Sequence, residues 1–230
     1  MREAEFDKFA DEYDALLRDS VRASGEDPAY FAEYKVRDVA GVVAATATRP
    51  LRILDFGSGS GGSIGYFRRY FPSAELVCLD VSRKSLALAR RRAGGLGAFV
   101  CFDGETIPFG NGSFDVVFTA CVFHHIPAER HMPLLGEIRR VLRPNGSLFL
   151  FEHNPLNPLT RRAVDSCAFD REAVLIGAGE MAARARAAGF GHPAIAYRIF
   201  FPRAFAALRP LERFLTRVPL GAQYRLHATA

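Results

Sequence analysis

The sequence lacks several features that would narrow its function at once. Its 230 residues include no tryptophan and four cysteines. No apolar run approaches the roughly 20 residues that a membrane-spanning helix needs. The cysteines show no metal-type spacing, and Cys78, Cys101 and Cys121 fall in predicted strands, where thiols act as small buried groups. We therefore expect neither a cysteine-based metal site nor stable membrane insertion.

Lysine is scarce, because 27 of the 30 basic residues are arginine. The net charge is +5, but the arginines are scattered, which indicates a modest basic surface without a binding stripe. No nucleic-acid partner is expected on this basis. The first residues, MREAEFDKFADEYD, are acidic and lack the apolar stretch of a signal peptide, so we expect a cytoplasmic location.

The most informative stretch is ILDFGSGSGG, from Ile53 to Gly62. A short apolar run to Phe56 predicts a strand, glycines follow at once, and apolar residues then recur at helical spacing. A strand, a glycine turn and a helix bring a nucleotide-like ligand against bare backbone and a helix N-terminus. Gly57, Gly59 and Gly62 also satisfy the dinucleotide-binding spacing, so the glycines alone leave the ligand open.

Asp55, two residues before the first glycine, favours one class of ligand. Its charge would repel a pyrophosphate, whereas it would attract a ligand with an ammonium and a sulfonium group. S-adenosylmethionine (SAM) has both, plus an adenosine and no phosphate. An acidic residue followed by GxGxG resembles the first motif of class I SAM-dependent methyltransferases, of the small-molecule type 11/12 kind. The resemblance spans essentially the whole chain, is strong from Asp55 to Gly61 and is weak after Asn154.

The resemblance implies an α/β, Rossmann-like, doubly wound fold. Its seven-stranded sheet would be mostly parallel, in the order 3-2-1-4-5-7-6, with strand 7 antiparallel. We expect one domain over residues 1–230, because the sequence shows no internal repeat. Residues 1–48 would form an N-terminal helical lid, 51–154 the SAM-binding core and 155–230 the substrate-side region.

Cofactor contacts are predicted at three strand ends. Asp80 ends the second strand, where a carboxylate can accept hydrogen bonds from both ribose hydroxyls. The alternative role for Asp80 is the N-cap of the next helix, but the nearby Ser82 is better suited to that role. The resemblance implies that Asp103 binds the adenine amino group beside Gly104. It also implies that Tyr13 faces the cofactor, with an amphipathic core face as an equal alternative. The predicted cofactor set is Asp55, Gly57, Ser58, Gly59, Gly61, Asp80, Val81, Asp103, Gly104, Cys121 and Tyr13.

Two polar clusters are predicted to meet the methyl acceptor. His124 and His125 follow the fourth strand, and Glu152 and His153 end the fifth. Ligands bind beyond the carboxyl ends of strands in open α/β sheets. A histidine there can act as a general base near neutral pH, or it can simply hold the loop. These four side chains could also bind a metal ion, but spacing across separate strands is not specific, and we expect none.

The predicted reaction is methyl transfer from SAM to a small molecule, with S-adenosylhomocysteine as product. The loop after the fourth strand lacks the Asn/Asp-Pro-Pro-aromatic motif of amino-directed nucleic-acid methyltransferases. Phenylalanine is abundant, which favours a hydrophobic or aromatic metabolite and O- or C-methylation, as in secondary metabolism. Candidates for an apolar pocket are Phe123, Phe151, Phe169, Phe200 and Phe201.

Three alternatives stay open. The fold could bind SAM and catalyse another reaction, such as a cyclisation, since fold does not fix chemistry. It could also be a non-catalytic binding module. The basic amphipathic segment 203–217 could touch a membrane, although we expect its apolar face to cover the sheet. A homodimer is equally open.

Overall fold

Seven strands form one sheet in the part of the chain that the structure describes. The structure is a computed structural model that describes residues 13–43, 49–94, 97–167, 170 and 172–230, and only the backbone of residues 13, 14 and 23. The strands are β1 (Arg52–Phe56), β2 (Glu75–Asp80), β3 (Ala98–Cys101), β4 (Phe114–Ala120), β5 (Leu142–His153), β6 (Gly191–Arg198) and β7 (Gln223–Thr229). Their order is β3-β2-β1-β4-β5-β7-β6. Strands β1 to β5 pair in parallel, and β7 is antiparallel to β5 and β6. The predicted fold, strand order and direction of β7 are confirmed.

Helices cover both faces of this sheet. They are α1 (Tyr13–Val21), α2 (Pro28–Val43), α3 (Ile64–Tyr70), α4 (Arg83–Arg92), α5 (Ala128–Val141), α6 (Pro158–Ser166), α7 (Ala178–Ala187) and α8 (Glu212–Leu215). Alternate residues of β1 point to opposite faces. Ile53 packs in a core cluster with α2, α3 and α4, whereas Leu54 packs in a second cluster with α5 and α7. Among the described residues, no helix has the length and apolar character to cross a bilayer.

Helix α6 lies in a stretch for which the sequence predicts no regular structure. Asn157 is its N-cap and accepts a hydrogen bond from the backbone N–H of Thr160 at 3.0 Å. Pro158 is its first residue, a position where the missing N–H costs nothing. The prolines that suggested an irregular chain therefore belong to a helix start.

The apolar run from Ser147 to Phe151 predicts the fifth strand, and Asn145-Gly146 predicts a turn before it, but β5 begins at Leu142. Leu142 pairs with Phe114 before a shift in register, and the regular pairing resumes at Ser147. The Asn145 backbone has a positive φ of 64°, so this turn residue lies inside the paired segment.

The expectation that the apolar face of segment 203–217 covers the sheet is wrong. A 3-10 segment (Arg203–Leu211) and α8 contain no buried residue. Phe205, Leu208, Leu211 and Phe214 are between 41% and 70% exposed. Amphipathic spacing shows which residues share a face, but not what that face contacts.

Candidate active site

The glycine turn joins the carboxyl ends of β1 and β4. Gly57 has a φ of +74°, and a Cβ there would lie 2.4 Å from Cγ2 of Val122, in the loop after β4. Gly61, with a φ of +81°, packs against α3 and α4, because its Cβ would lie 2.6 Å from Cδ1 of Ile64. Gly59 differs, since a Cβ on it would meet no atom within 4 Å. Two of the predicted glycines thus allow close packing within the protein, and Gly59 is open to a ligand.

Asp80 fixes the glycine turn from the neighbouring strand. Its Oδ2 accepts a hydrogen bond from the backbone N–H of Gly59 at 2.8 Å, and its Oδ1 accepts one from the N–H of Ser82 at 2.8 Å. The hydroxyl oxygen of Ser82 caps α4 by accepting from the N–H of Ser85 at 3.1 Å. Ser82, and not Asp80, is therefore the N-cap of α4.

Asp55 carries a buried carboxylate oxygen without a partner. The residue is 3% exposed, and its Oδ2 has no hydrogen bond. Burial raises the pKa of Asp55 to about 7; the Asp80 carboxylate adds to this increase and the Lys35 ammonium opposes it. A buried carboxylate without a donor is costly. This position suits the ammonium group of a ligand.

The predicted adenine contacts lie outside the cavity described below. Asp103 is exposed, and its Oδ1 accepts hydrogen bonds from the backbone N–H groups of Glu105 and Thr106 at 2.7 and 2.9 Å. These bonds lower the pKa of Asp103. Gly104 lies behind it against Val81, where a Cβ would be 3.4 Å from Cγ1. The side chain of Tyr13 is outside the described residues, so its contact with the cofactor stays a prediction.

Glu152 holds the loop after β4 from behind. Its Oε1 accepts hydrogen bonds from the N–H groups of Val122 and Phe123 at 3.0 and 2.7 Å, and its Oε2 lies 2.5 Å from Nδ1 of His124. Both side chains of this pair are almost fully buried. Burial opposes the charge on His124, but Glu152 and Asp170 outweigh it and raise the pKa of His124. Glu152 and His124 therefore form a buried ion pair that positions the loop.

His125 faces the cavity and pairs with a residue that the sequence did not suggest. Its Nε2 lies 3.2 Å from Oδ1 of Asp170, which also lies 3.5 Å from Nε2 of His124; neither contact has hydrogen-bond geometry. Burial lowers the pKa of His125; Asp170 opposes this and the charge on His124 adds to it. The lowered pKa favours a neutral His125 ring at physiological pH.

The same three side chains have the geometry of a metal site. Ligand atoms of His124, His125 and Asp170 lie within 4.8 Å of one another, and two histidines with one carboxylate can bind a divalent ion. As an alternative to metal binding, His124 is an imidazolium in its ion pair with Glu152. The expectation of a metal-free site stays a prediction.

Cys121 is not a core residue, because it lines the cavity at the end of β4. Its backbone has a φ of 58°, which is unusual for a residue other than glycine. The ammonium of Lys35 donates to its sulfur at 3.4 Å and Gln223 at 3.7 Å. Burial raises the pKa of the Cys121 thiol, but Lys35 and His153 outweigh it and lower this pKa to about 7. The thiol therefore ionises near neutral pH.

These groups line one cavity of about 570 Å³ at the carboxyl edge of the sheet. Its lining near the strand ends includes Asp55, Ser58, Gly59, Asp80, Val81, Cys121, His124, His125, His153 and Asp170. Its apolar wall includes Leu17, Val21, Phe31, Val164, Ile199 and Phe200. Phe200 was predicted to line such a pocket, whereas Phe123 and Phe151 are fully buried in the core and Phe169 is outside the described residues.

Sequence reasoning missed Lys35, Asp170 and Gln223 as cavity residues. Lys35 is one of three lysines in the chain, but its spacing on α2 resembles that of any exposed charge. Asp170 follows α6 in a stretch without periodicity, and Gln223 begins the last strand. Their positions depend on tertiary packing, for which the local sequence carries no signal.

The comparison with known families gives a clear match. Residues 54–150 match the family model Methyltransf_11, a methyltransferase domain. The chain is 32% identical over 152 residues to a demethylmenaquinone methyltransferase of Thermotoga maritima, covering 66% of this chain and 61% of that protein. It is 38% identical over 109 residues to a demethylmenaquinone methyltransferase of Thermus thermophilus, covering 46% and 49%. A phthiotriol/phenolphthiotriol dimycocerosates methyltransferase of Mycobacterium leprae is 37% identical over 116 residues, covering 50% and 42%. The chain thus spans about half the length of the curated relatives it matches.

Solved structures share the fold at low sequence identity. A SAM-dependent methyltransferase from Thermotoga maritima has a TM-score of 0.68 and 16% identity, with 98% of both chains covered. The [4+2]-cyclase SpnF has a TM-score of 0.65 and 18% identity, covering 97% of this chain and 96% of that one. At these identities the likeness shows the fold alone. Residues 54–150 thus match a methyltransferase domain, and the strand order is the one that the resemblance to class I SAM-dependent methyltransferases predicted.

Proposed function

We propose that this protein transfers the methyl group of SAM to a small hydrophobic or aromatic acceptor, at oxygen or carbon. The observation that carries the proposal is the unpartnered Oδ2 of Asp55, buried beside the open Gly59 in the cavity. A ligand with an ammonium group would satisfy that oxygen. When SAM is bound, its sulfonium supplies an activated methyl group, so the protein has mainly to align the acceptor and exclude water.

Three elements of the cavity would hold the cofactor. Asp55 would pair with the methionine ammonium, and Gly59 leaves room for the ligand against bare backbone. Asp80, at the end of β2 and in the cavity lining, would accept hydrogen bonds from the ribose hydroxyls. Asp103 with Gly104 is proposed to bind the adenine at the outer end of the site, which requires the exposed carboxylate to keep one oxygen for the amino group.

His125 is proposed as the general base. It lines the cavity, and its Nε2 lies 3.2 Å from the carboxylate of Asp170. Burial keeps the ring neutral near pH 7, so one nitrogen can accept the proton that a hydroxyl or an acidic carbon loses on methylation. The ion pair of His124 and Glu152 positions the loop, and His153 lines the acceptor side without a role in proton transfer.

The class of acceptor is inferred from the cavity and the relatives. The wall formed by α1, α2, α6 and the segment after β6 is apolar, which favours a hydrophobic ligand. The printed names of the curated relatives refer to demethylmenaquinone and to phthiotriol dimycocerosates, both of which are apolar acceptors. A quinol or a long-chain hydroxyl compound fits the same chemistry here.

The first experiment is a calorimetric titration with SAM, S-adenosylhomocysteine and NADH. We expect binding of both sulfur ligands and none of NADH. In Asp80→Asn, a charge-assisted hydrogen bond is lost, and we expect SAM affinity to fall roughly 10- to 100-fold. Asp165→Asn on the exposed face of α6 is the matched control and should bind as the wild type does. Binding of NADH alone, or an unchanged affinity in Asp80→Asn, would contradict the cofactor assignment.

The second experiment measures transfer from methyl-labelled SAM to naphthoquinols and long-chain hydroxyl compounds. We expect His125→Ala to bind SAM within about threefold of the wild type and to lose transfer by roughly 10²- to 10⁴-fold, the usual contribution of a general base. His192→Ala, outside the cavity, is the control. Acceptor conversion without SAM consumption would indicate other chemistry on the same fold, as in a cyclase. A large loss of SAM affinity in His125→Ala would show that the loop shapes the cofactor site instead.

A further inference from the structure

The segment after β6 exposes a row of large apolar side chains. Phe205, Leu208, Leu211 and Phe214, here called the apolar ridge, recur at every third residue. In a 3-10 helix the side chains at i and i+3 eclipse one another, and the segment is 3-10 as far as Leu211, with a kink at Phe205. The ridge residues are 58%, 41%, 50% and 70% exposed. Such a row on a surface marks an interaction site.

Polar contacts attach this segment to the protein. Glu212 Oε1 accepts hydrogen bonds from the N–H groups of Phe200 and Phe201 at 2.9 and 3.0 Å. Arg209 forms an ion pair with Glu26 and lies over the ring of Tyr30 at 4.5 Å. Glu212 and Arg209 thus point to the protein, while the apolar ridge stays exposed, unlike the apolar face of an ordinary surface helix.

A second group of exposed apolar residues lies around the start of α6. Leu156, Leu159 and Leu220 are 62%, 70% and 61% exposed. The side-chain amide of Asn157 donates to the carbonyl of Leu220 at 2.7 Å, which brings Leu220 beside the start of α6. Leu159 lines the cavity, as does Pro202 just before the ridge segment. Each apolar group thus lies next in sequence to, or includes, a residue of the cavity lining.

The charge around the ridge is positive. The segment 203–217 contains four arginines and one acidic residue, Glu212, so its net charge is +3. Arg203, Arg213 and Arg217 are exposed, and Glu212 is occupied by the backbone hydrogen bonds above. Apolar side chains interleaved with exposed arginines match an anionic lipid surface, where the former enter the acyl boundary and the latter meet phosphates.

We propose that the apolar ridge, with the leucines around the start of α6, docks this protein on an anionic lipid bilayer. Docking would bring the cavity, whose lining includes Leu159 and Pro202, close to the membrane. A lipophilic molecule could then pass from the bilayer to the apolar wall without crossing water. This attachment is peripheral, because it uses one exposed face and no spanning helix.

The test is sedimentation of the full-length protein with phosphatidylcholine vesicles, with and without about 30% phosphatidylglycerol. We expect binding to the anionic vesicles at low salt and weaker binding in about 0.5 M salt, which screens the arginines. Phe214→Ser should lower the partition coefficient about tenfold, because a buried aromatic ring is lost from the acyl boundary. Arg217→Gln should lower it about fivefold.

Matched controls change exposed residues on other faces. Met132→Ser on α5 and Arg91→Gln on α4 should bind vesicles as the wild type does, and thermal unfolding should show that all variants fold. Absence of binding to anionic vesicles, or equal binding by Phe214→Ser, would overturn the proposal. So would a dimer in light scattering that Phe214→Ser converts to a monomer, because the ridge would then contact a second copy. Vesicle binding needs no methyl transfer, so this result and that of the proposed function are independent.

Discussion

At the scale of single residues, the unpartnered carboxylate of Asp55 gives the most direct test of cofactor binding. Its pKa is raised to about 7, so the group is largely protonated below that pH and ionised above it. Only the ionised form pairs with an ammonium. We therefore expect the Kd of SAM to fall as the pH rises from about 6 to about 8, by at most about tenfold for each pH unit below the pKa. Calorimetry at constant ionic strength measures this dependence.

The control for this prediction is Asp55→Asn, which is isosteric and does not titrate. It should bind SAM weakly and with a flat dependence on pH over the same range. If the pH dependence persists in the variant, the titrating group is another residue. A Kd that rises with pH in the wild type would show that the pocket prefers the protonated acid.

Cys121 provides a second prediction at this scale. Lys35 and His153 lower its thiol pKa to about 7, compared with about 8.5 for a free thiol. Alkylation by iodoacetamide, followed by peptide mass spectrometry, should therefore show a midpoint near neutral pH at Cys121. Cys78 and Cys167 are buried and should react slowly. S-adenosylhomocysteine should protect Cys121, which lines the cavity; alkylation at an unchanged rate would place the ligand elsewhere.

Candidate site residues that belong to a local pattern could be chosen from the sequence. Asp55 and the glycines follow from the strand, the turn and the helix that surround them, and Asp80 follows from its strand end. Asp170 and Lys35 could not be found in this way. They reach the cavity from a loop and a helix that are remote in sequence, so only the folded structure brings them to the histidines and Cys121.

At the scale of elements, the start of α6 gives a prediction about stability. Asn157 caps this helix through the N–H of Thr160 and also donates to the carbonyl of Leu220. Loss of an N-cap costs about 1 kcal/mol, and we expect the Asn157→Ala variant to lose about that much and to melt about 2–4 °C lower. Ser166→Ala at the other end of α6 loses one exposed hydrogen bond and should change stability by less than about 0.5 kcal/mol. Equal effects of the two substitutions would show that the cap contributes nothing.

Helix α6 and the apolar ridge show what limits prediction at this scale. Asn-Pro before an apolar residue is the signal of an N-cap followed by a first helical residue, so α6 was encoded locally and misread as a proline-rich loop. The ridge is a different case. Its amphipathic pattern was recognised, but whether the apolar side faces the sheet or the solvent depends on Glu212 and Arg209, which bond to distant backbone and side chains.

At the scale of the whole molecule, the sheet order was available from the family resemblance and not from hydrophobic periodicity. Apolar runs predict strands, but they do not say that β4 lies beside β1 or that β7 enters between β5 and β6. That order matters for function, because it brings the ends of β1 and β4 together and opens the cavity between them. The predicted division into lid, core and substrate-side parts is a further proposal, which the cavity lining by α1, α2 and α6 supports.

A ligand that joins these parts should stabilise the whole fold. The cavity is lined by β1, β2, β4, α1, α2 and α6, so a bound cofactor contacts elements from both ends of the chain. At a concentration of about 100 Kd, a ligand specific for the native state adds about 2.7 kcal/mol. For a domain of this size, that corresponds to an increase in Tm of about 5–10 °C. We expect S-adenosylhomocysteine to produce this shift in a thermal scan and NADH to produce none. Treatment with EDTA should leave the shift unchanged, because Asp55 and Asp80, which we propose bind the cofactor, are not among the three side chains that could bind a metal. A shift that EDTA abolishes would show that an ion at His124, His125 and Asp170 organises the cavity.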